Sequence, residues 1–181
     1  MTQNNFETTE TTQSETIYKG KVVTLRRDTI TEPSGPPYMR EVVVHPGAIV
    51  IVPIDQAGRL LLVKQWRHPV GKVLTELPAG TLEAGESPHS CAERELQEET
   101  GFKPTTLTAM GGFYSAPGFC TEYLHLFLAE GLTVSRLPAD EDEHIELLSV
   151  SLAAALQMIE DGTICDAKSV AGILRYAAHK R

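Results

Sequence analysis

Long hydrophobic runs are missing from this 181-residue chain. No stretch approaches the roughly 20 apolar residues that a membrane-spanning helix needs. The opening segment, MTQNNFETTETTQSET, has no apolar core and does not read as a secretory leader. Cysteine is scarce: Cys91, Cys120 and Cys165 are scattered and odd in number. They offer neither a zinc-ligand spacing nor a disulfide framework, which fits a reducing cytoplasm. Basic side chains are outnumbered, with 16 Lys and Arg against 24 Asp and Glu and a formal net charge of −8. That balance does not suit non-specific nucleic-acid binding, which works by neutralising phosphates. It leaves room for a local basic pocket around one small anion. What is present, 41% hydrophobic and 22% charged residues, is the composition of a soluble globular protein with a substantial core.

Residues Met1 to about Ser14 are Thr-, Gln- and Glu-rich and read as a disordered tail. Residues 15–46 read as an N-terminal antiparallel sheet. Its strands fall at Lys21–Ile30 and Tyr38–His45, around the turn-rich Glu32–Pro37. Pro46-Gly47 marks the boundary to a body of residues 47–181. There Ala48–Ile54 is a near-continuous apolar run, hence a strand covered on both faces. Asp55–Gly58 turns the chain into a partner strand, Leu60–Trp66, with Trp66 read as core packing. Thr106–Tyr114, Glu122–Ala129 and Ile145–Val150 read as further strands. Leu152–Asp161 and Ala167–Ala178 have helical apolar spacing. The layout is α/β, a mixed sheet with helices on its faces.

The most informative stretch is Gly80–Phe102, GTLEAGESPHSCAERELQEETGF. Ser87 is placed to cap a helix, Pro88 suits its first turn, and Gly101 suits the left-handed residue that ends it. Ala92 and Leu96 give it a narrow apolar stripe. Glu95, Glu98 and Glu99 then project from one face, where like charges repel. Arg94, four residues before Glu98, offsets one of them. Divalent Mg²⁺ or Mn²⁺ suits the remainder, because hard cations prefer carboxylate oxygens. The bland alternative is a solvated acidic face, as most charge runs are. Against it stands the full spacing: Gly80, five residues, Glu86, seven residues, Arg94-Glu95-Leu96, one residue, Glu98-Glu99, one residue, Gly101-Phe102.

That spacing resembles the Nudix box of the Nudix hydrolases, with every defined position filled. The resemblance implies an α/β/α sandwich, here preceded by the N-terminal antiparallel sheet. It also implies hydrolysis of a nucleoside diphosphate linked to another group, with divalent metal on the box glutamates. The flanking motifs narrow the branch. Gln65–Lys72, Glu76–Gly80, Ser115–Gly118 and the acidic loop Asp140–Glu143 resemble the ADP-ribose pyrophosphatases.

Carried over residue by residue, the resemblance assigns Glu95, Glu98, Glu99 and the Ala79 carbonyl to metal, with Glu143 reaching it from the acidic loop. Glu141 matches the general base, and Arg94 and Glu99 complete the catalytic set. Arg67 matches an arginine on the pyrophosphate; as a plain strand-end charge it would merely snorkel into solvent. Arg40 and Glu41 match a pair at the adenosine end, and Gly118 and Glu122 line the ribose side. Glu141 and Glu143 also read as ordinary solvated loop acids, and Arg26 and Arg27 as surface charges. Glu86 reads as a brace for its loop, and His68 and His144 not as ligands.

The expected reaction is ADP-ribose plus water giving AMP and ribose 5-phosphate, in a homodimer formed through the N-terminal sheets. Two alternatives remain. One is a pyrophosphatase for other nucleoside diphosphate sugars, such as ADP-glucose or GDP-mannose. The other is an ADP-ribose sensor that does not hydrolyse.

Overall fold

The computed structural model describes residues 9–33, 35–138 and 144–180. Contacts divide the chain into Met1–Pro46 with Ala116–Glu122, and Gly47–Ser115 with Tyr123–Arg181. The first unit is a three-stranded antiparallel sheet of β1 (Glu10–Lys19), β2 (Thr24–Thr31) and β3 (Tyr38–Val44), in that order. This corrects the sequence reading of a disordered tail through residue 14, because β1 begins at Glu10. Every residue of β1 is exposed, so the strand carries no apolar alternation to betray it. Polar cross-strand contacts accompany its ladder: Ser14 Oγ donates to Asp28 Oδ1 at 2.7 Å, and Arg27 Nη2 donates to Glu15 Oε2 at 2.5 Å. The segment Phe119–Thr121 lies along β3. The Val43 N–H donates to Phe119 O at 2.8 Å, and the Thr121 N–H to Val43 O at 2.9 Å.

The second unit begins with β4 (Ala48–Pro53), β5 (Leu60–Arg67), β6 (Lys72–Glu76) and β7 (Ala79–Thr81), followed by α1 (Pro88–Thr100). Next come β8 (Phe102–Lys103), β9 (Thr106–Tyr114), β10 (Tyr123–Glu130), β11 (Thr133–Val134) and β12 (Glu146–Val150). Helices α2 (Leu152–Glu160) and α3 (Ala167–His179) complete it. One sheet runs β7-β4-β10-β9 and a second β12-β5-β6, with a small pair β11-β8. β4 and β10 are parallel and the other pairings antiparallel, so the central sheet is mixed.

All six residues of β4 are buried, and the pleat sends them alternately to two cores. Ile49 and Ile51 join Cys91, Ala92 and Leu96 of α1. Val50 and Val52 join Ala155 of α2 and Ile173 and Tyr176 of α3. This is the α/β/α layering expected of the body. Among the described residues no helix is long and apolar enough to cross a membrane.

One packing expectation fails. Trp66 is 58% exposed, not core. It sits opposite Val73 on the β5–β6 hairpin, and Val73 is equally open. Gln65 and Glu76, on the other face of the hairpin, are buried, so Trp66 stands on an open face of a strand whose opposite face is covered.

Candidate active site

The local sequence builds α1 as its punctuation requires. Ser87 Oγ accepts the Ser90 N–H, and Gly101 ends the helix at φ 76°, a left-handed angle that disfavours a side chain. Cys91, Ala92 and Leu96 face the core and are fully buried. With that face fixed, Glu95 and Glu99 meet β7, and Arg94 joins Glu98 to Glu95. β7 supplies the floor: Val50 pairs with Ala79 and Ile49 with Gly80. A Cβ at Gly80 would lie 1.9 Å from Glu95 Cδ and Oε1, so the missing side chain makes the space that the carboxylate fills.

Arg94 organises the acids. Its Nε and Nη2 donate to the two oxygens of Glu86, each at 3.0 Å, a bidentate fork. Its Nη1 donates to Glu95 Oε1 at 2.8 Å and to Glu98 Oε2 at 2.9 Å. Glu86 also braces its loop, as expected, by accepting the Glu83 N–H. The guanidinium hydrogen bonds hold Glu86 below the usual carboxylate range, against burial, which works upward. The same pairing with Glu86 raises Arg94 above its ordinary value. Burial, with Glu86 and Glu95 nearby, pushes the Cys91 thiol up to about 12.

Glu99 is 5% exposed, and its Oε2 accepts the Ala79 N–H at 3.2 Å. One arginine thus meets Glu86, Glu95 and Glu98, with Glu99 close behind, and carboxylate is in excess. Among the described residues no three acidic, imidazole or thiol side chains converge on a single point, for Arg94 Nη1 sits where Glu95 and Glu98 meet. The donor chemistry nonetheless suits a hard divalent cation: Glu95, Glu98 and Glu99 offer carboxylate oxygens beside the Ala79–Gly80 backbone.

Arg67 belongs to the same unit. Its Nε lies 3.0 Å and its Nη2 2.6 Å from Glu76 Oε2. Burial lowers its basicity, but Glu76 and the charges of Glu99 and Asp166 outweigh that and raise it. Glu76, Asp166 and Lys168 carried no role in the sequence reading. The signal lay in the β5–β6 register, which sets Glu76 across from Val63, and in an Asp that caps α3.

Arg40, Glu41, Gly118 and Glu122 belong to the N-terminal unit instead. Arg40 and Glu41 border a groove with Leu25, Arg27, Val43 and Phe119, and Arg40 lies 4.5 Å over the Tyr38 ring. Glu122 Oε1 is 3.6 Å from His45 Nδ1. At Gly118 a side chain would meet nothing within 4 Å. Arg27 pairs with exposed Glu15, as a surface charge does, whereas Arg26 pairs with Asp28, which is buried. Glu141 and Glu143 lie outside the described residues.

The family model of the NUDIX domain matches residues 44–171. The ADP-ribose pyrophosphatase of Bacillus subtilis (strain 168) is 41% identical over 166 residues, covering 91% of this chain and 90% of its own length. The methanol dehydrogenase activator of Bacillus methanolicus is 39% identical with the same coverage. The ADP-ribose pyrophosphatase of Mycobacterium tuberculosis (strain ATCC 25618 / H37Rv) is 38% identical over 177 residues, 96% of this chain and 84% of that one. A solved structure described as an ADP compounds hydrolase matches with a TM-score of 0.85 over 94% of this chain and 92% of its own. At 24% identity, that likeness speaks for the fold.

Proposed function

This chain belongs to the NUDIX domain family, and from that premise we propose that it hydrolyses the pyrophosphate bond of ADP-ribose, giving AMP and ribose 5-phosphate. The single observation that carries this reading is the carboxylate excess around Arg94, set against the backbone of Ala79–Gly80. Such a cluster is stable at neutral pH with a cation to share, and a diphosphate is the substrate that needs the same cation. Glu95, Glu98, Glu99 and the Ala79 carbonyl would hold Mg²⁺ or Mn²⁺, with Glu143 joining from its loop. The bound cation would draw negative charge from the diphosphate. Arg67 holds a phosphate oxygen through its guanidinium, and Arg40 and Glu41 hold the adenosine end. Gly118 and Glu122 line the ribose. Glu141 accepts the proton of the attacking water.

A homodimer is part of this reading. Ile17, Tyr18, Val22 and Met39 of the N-terminal unit are exposed, and sheets with open apolar side chains and free edges call for a cover. Free cysteines, with Cys165 exposed, agree with a reducing cytoplasm.

The test is a panel of ADP-ribose, ADP-glucose and GDP-mannose incubated with Mg²⁺, with products resolved by chromatography. The expected result is AMP from ADP-ribose ahead of the others, abolished by chelation and lost in Glu98→Gln and Glu99→Gln at unchanged thermal stability. Preferred cleavage of another sugar would move the substrate assignment. Tight binding of ADP-ribose without AMP would make the protein a sensor.

A further inference from the structure

Arg67 is one corner of a four-charge network whose other three members the reaction scheme does not use. Glu76 is 1% exposed. Its Oε2 accepts from Arg67 Nε at 3.0 Å, from Arg67 Nη2 at 2.6 Å and from Lys168 Nζ at 2.7 Å. Lys168 Nζ also donates to Asp166 Oδ1 at 2.8 Å. The cluster is anchored to the body at both ends. Asp166 caps α3 by accepting the Ser169 N–H, and Ser169 Oγ accepts the Leu77 N–H at 2.7 Å. The strand that carries Glu76 is thereby tied to the first turn of α3, three residues before Ala79.

Two features ask for an explanation. A cation in the first turn of a helix opposes the helix dipole, so helix stability does not account for Lys168. And Arg67 alone on Glu76 would be a closed ion pair, with little net attraction left for a phosphate. The two answer each other. Arg67 and Lys168 balance Glu76 and Asp166, so the four charges sum to zero. Remove Lys168, and Arg67 faces two carboxylates with a net charge of −1. The side-on pairing also directs the fork. With Nε and Nη2 engaged by Glu76, Nη1 is the guanidinium nitrogen that no described hydrogen bond uses, and it has two N–H groups for an anion.

We propose that Lys168 is a positioning residue for substrate binding: it takes up the charge of Glu76 and Asp166, so that Arg67 keeps its fork orientation and its attraction for the diphosphate. This rests on the assignment of Arg67 to the pyrophosphate. Its effect falls on binding that ground state and transition state share, so it moves KM and spares kcat.

The experiment measures kcat and KM for ADP-ribose with Mg²⁺, together with thermal unfolding, in Arg67→Ala, Lys168→Met, Lys168→Arg, Glu76→Gln and the double variant Glu76→Gln/Lys168→Met. Lys168→Met is expected to raise KM about tenfold with kcat within about threefold, and Lys168→Arg to restore KM. The double variant is the signature of charge. Removing the Glu76 charge as well is expected to return KM toward the wild-type value, although it adds a second lesion to the same network. An unchanged KM in Lys168→Met, or a double variant worse than Lys168→Met, overturns the inference while an elevated KM in Arg67→Ala leaves the function standing. Should Arg67→Ala itself leave KM unchanged, the assignment of Arg67 falls and this inference falls with it.

Discussion

Gly80→Ala is the sharpest single perturbation of the carboxylate cluster. The added methyl would lie 1.9 Å from Glu95 Cδ and Oε1 and 2.4 Å from Glu95 Cγ. Carbon atoms pack at about 3.5–4.0 Å, so the carboxylate must retreat by roughly 1.5–2 Å. The three atoms nearest that methyl all belong to the flexible Glu95 side chain. The β7–β4 ladder at Ile49 and Gly80 therefore stays, and the cost to the fold is small. The cost to chemistry is not. A misplacement of about 1 Å in a catalytic constellation is worth about a hundredfold in rate. Gly80→Ala is thus expected to lower kcat on ADP-ribose by about that factor, to demand more Mg²⁺ for half-maximal rate, and to unfold within a few degrees of the parent. Steady-state kinetics over a Mg²⁺ titration, beside a thermal melt, decides it. A kcat within about threefold of the parent at ordinary Mg²⁺ would refute the claim that the Glu95 carboxylate works from its seat over Gly80.

Three further outcomes are expected. Leu96→Ala removes a fully buried side chain beneath the acidic face of α1 and should cost about 2–5 kcal/mol in denaturant unfolding; a loss below about 1 kcal/mol would mean that the helix is held by something else. Glu86 has its folded value depressed by Arg94. Its contribution to stability is then complete above the ordinary carboxylate value, about 4.3, and disappears as pH falls through the lower folded value. Melting temperatures between about pH 6 and about pH 3 should show a shallower acid limb in Glu86→Gln than in the parent, and identical limbs would count against the pairing. Finally, with Cys91 buried and raised to about 12, iodoacetamide at about pH 8 should label exposed Cys165 and spare Cys91 in the folded protein; peptide mass spectrometry showing both labelled at one rate would contradict this.

What the sequence revealed followed the strength of its local signals. β4 was legible because burial on both faces leaves an unbroken apolar run. The ends of α1 were legible because Ser87, Pro88 and Gly101 each act within one turn. β1 was not, since a strand with no buried residue has the composition of a tail, and only the partner β2 distinguishes the two. The size of the Trp66 ring suggests a core, whereas its surroundings depend on which face of the β5–β6 hairpin is covered. Nothing local pairs Glu76 with Lys168. They are 92 residues apart in the chain, and neither becomes informative until α3 is laid against β6.

The same reasoning explains why Arg94 lies within the glutamates and not beside them. Bare carboxylates at helical spacing repel one another. Arg94 resolves this by serving Glu86, Glu95 and Glu98 at once. It is permanently charged and its fork meets several oxygens in one plane. The bidentate pair with Glu86 is the fixed point, because Glu86 also holds the Glu83 backbone. Nη1 is shared between Glu95 and Glu98. On the proposed reading, a divalent ion held by Glu95 and Glu98 would compete with Nη1, and the Glu86 fork would keep the guanidinium in place.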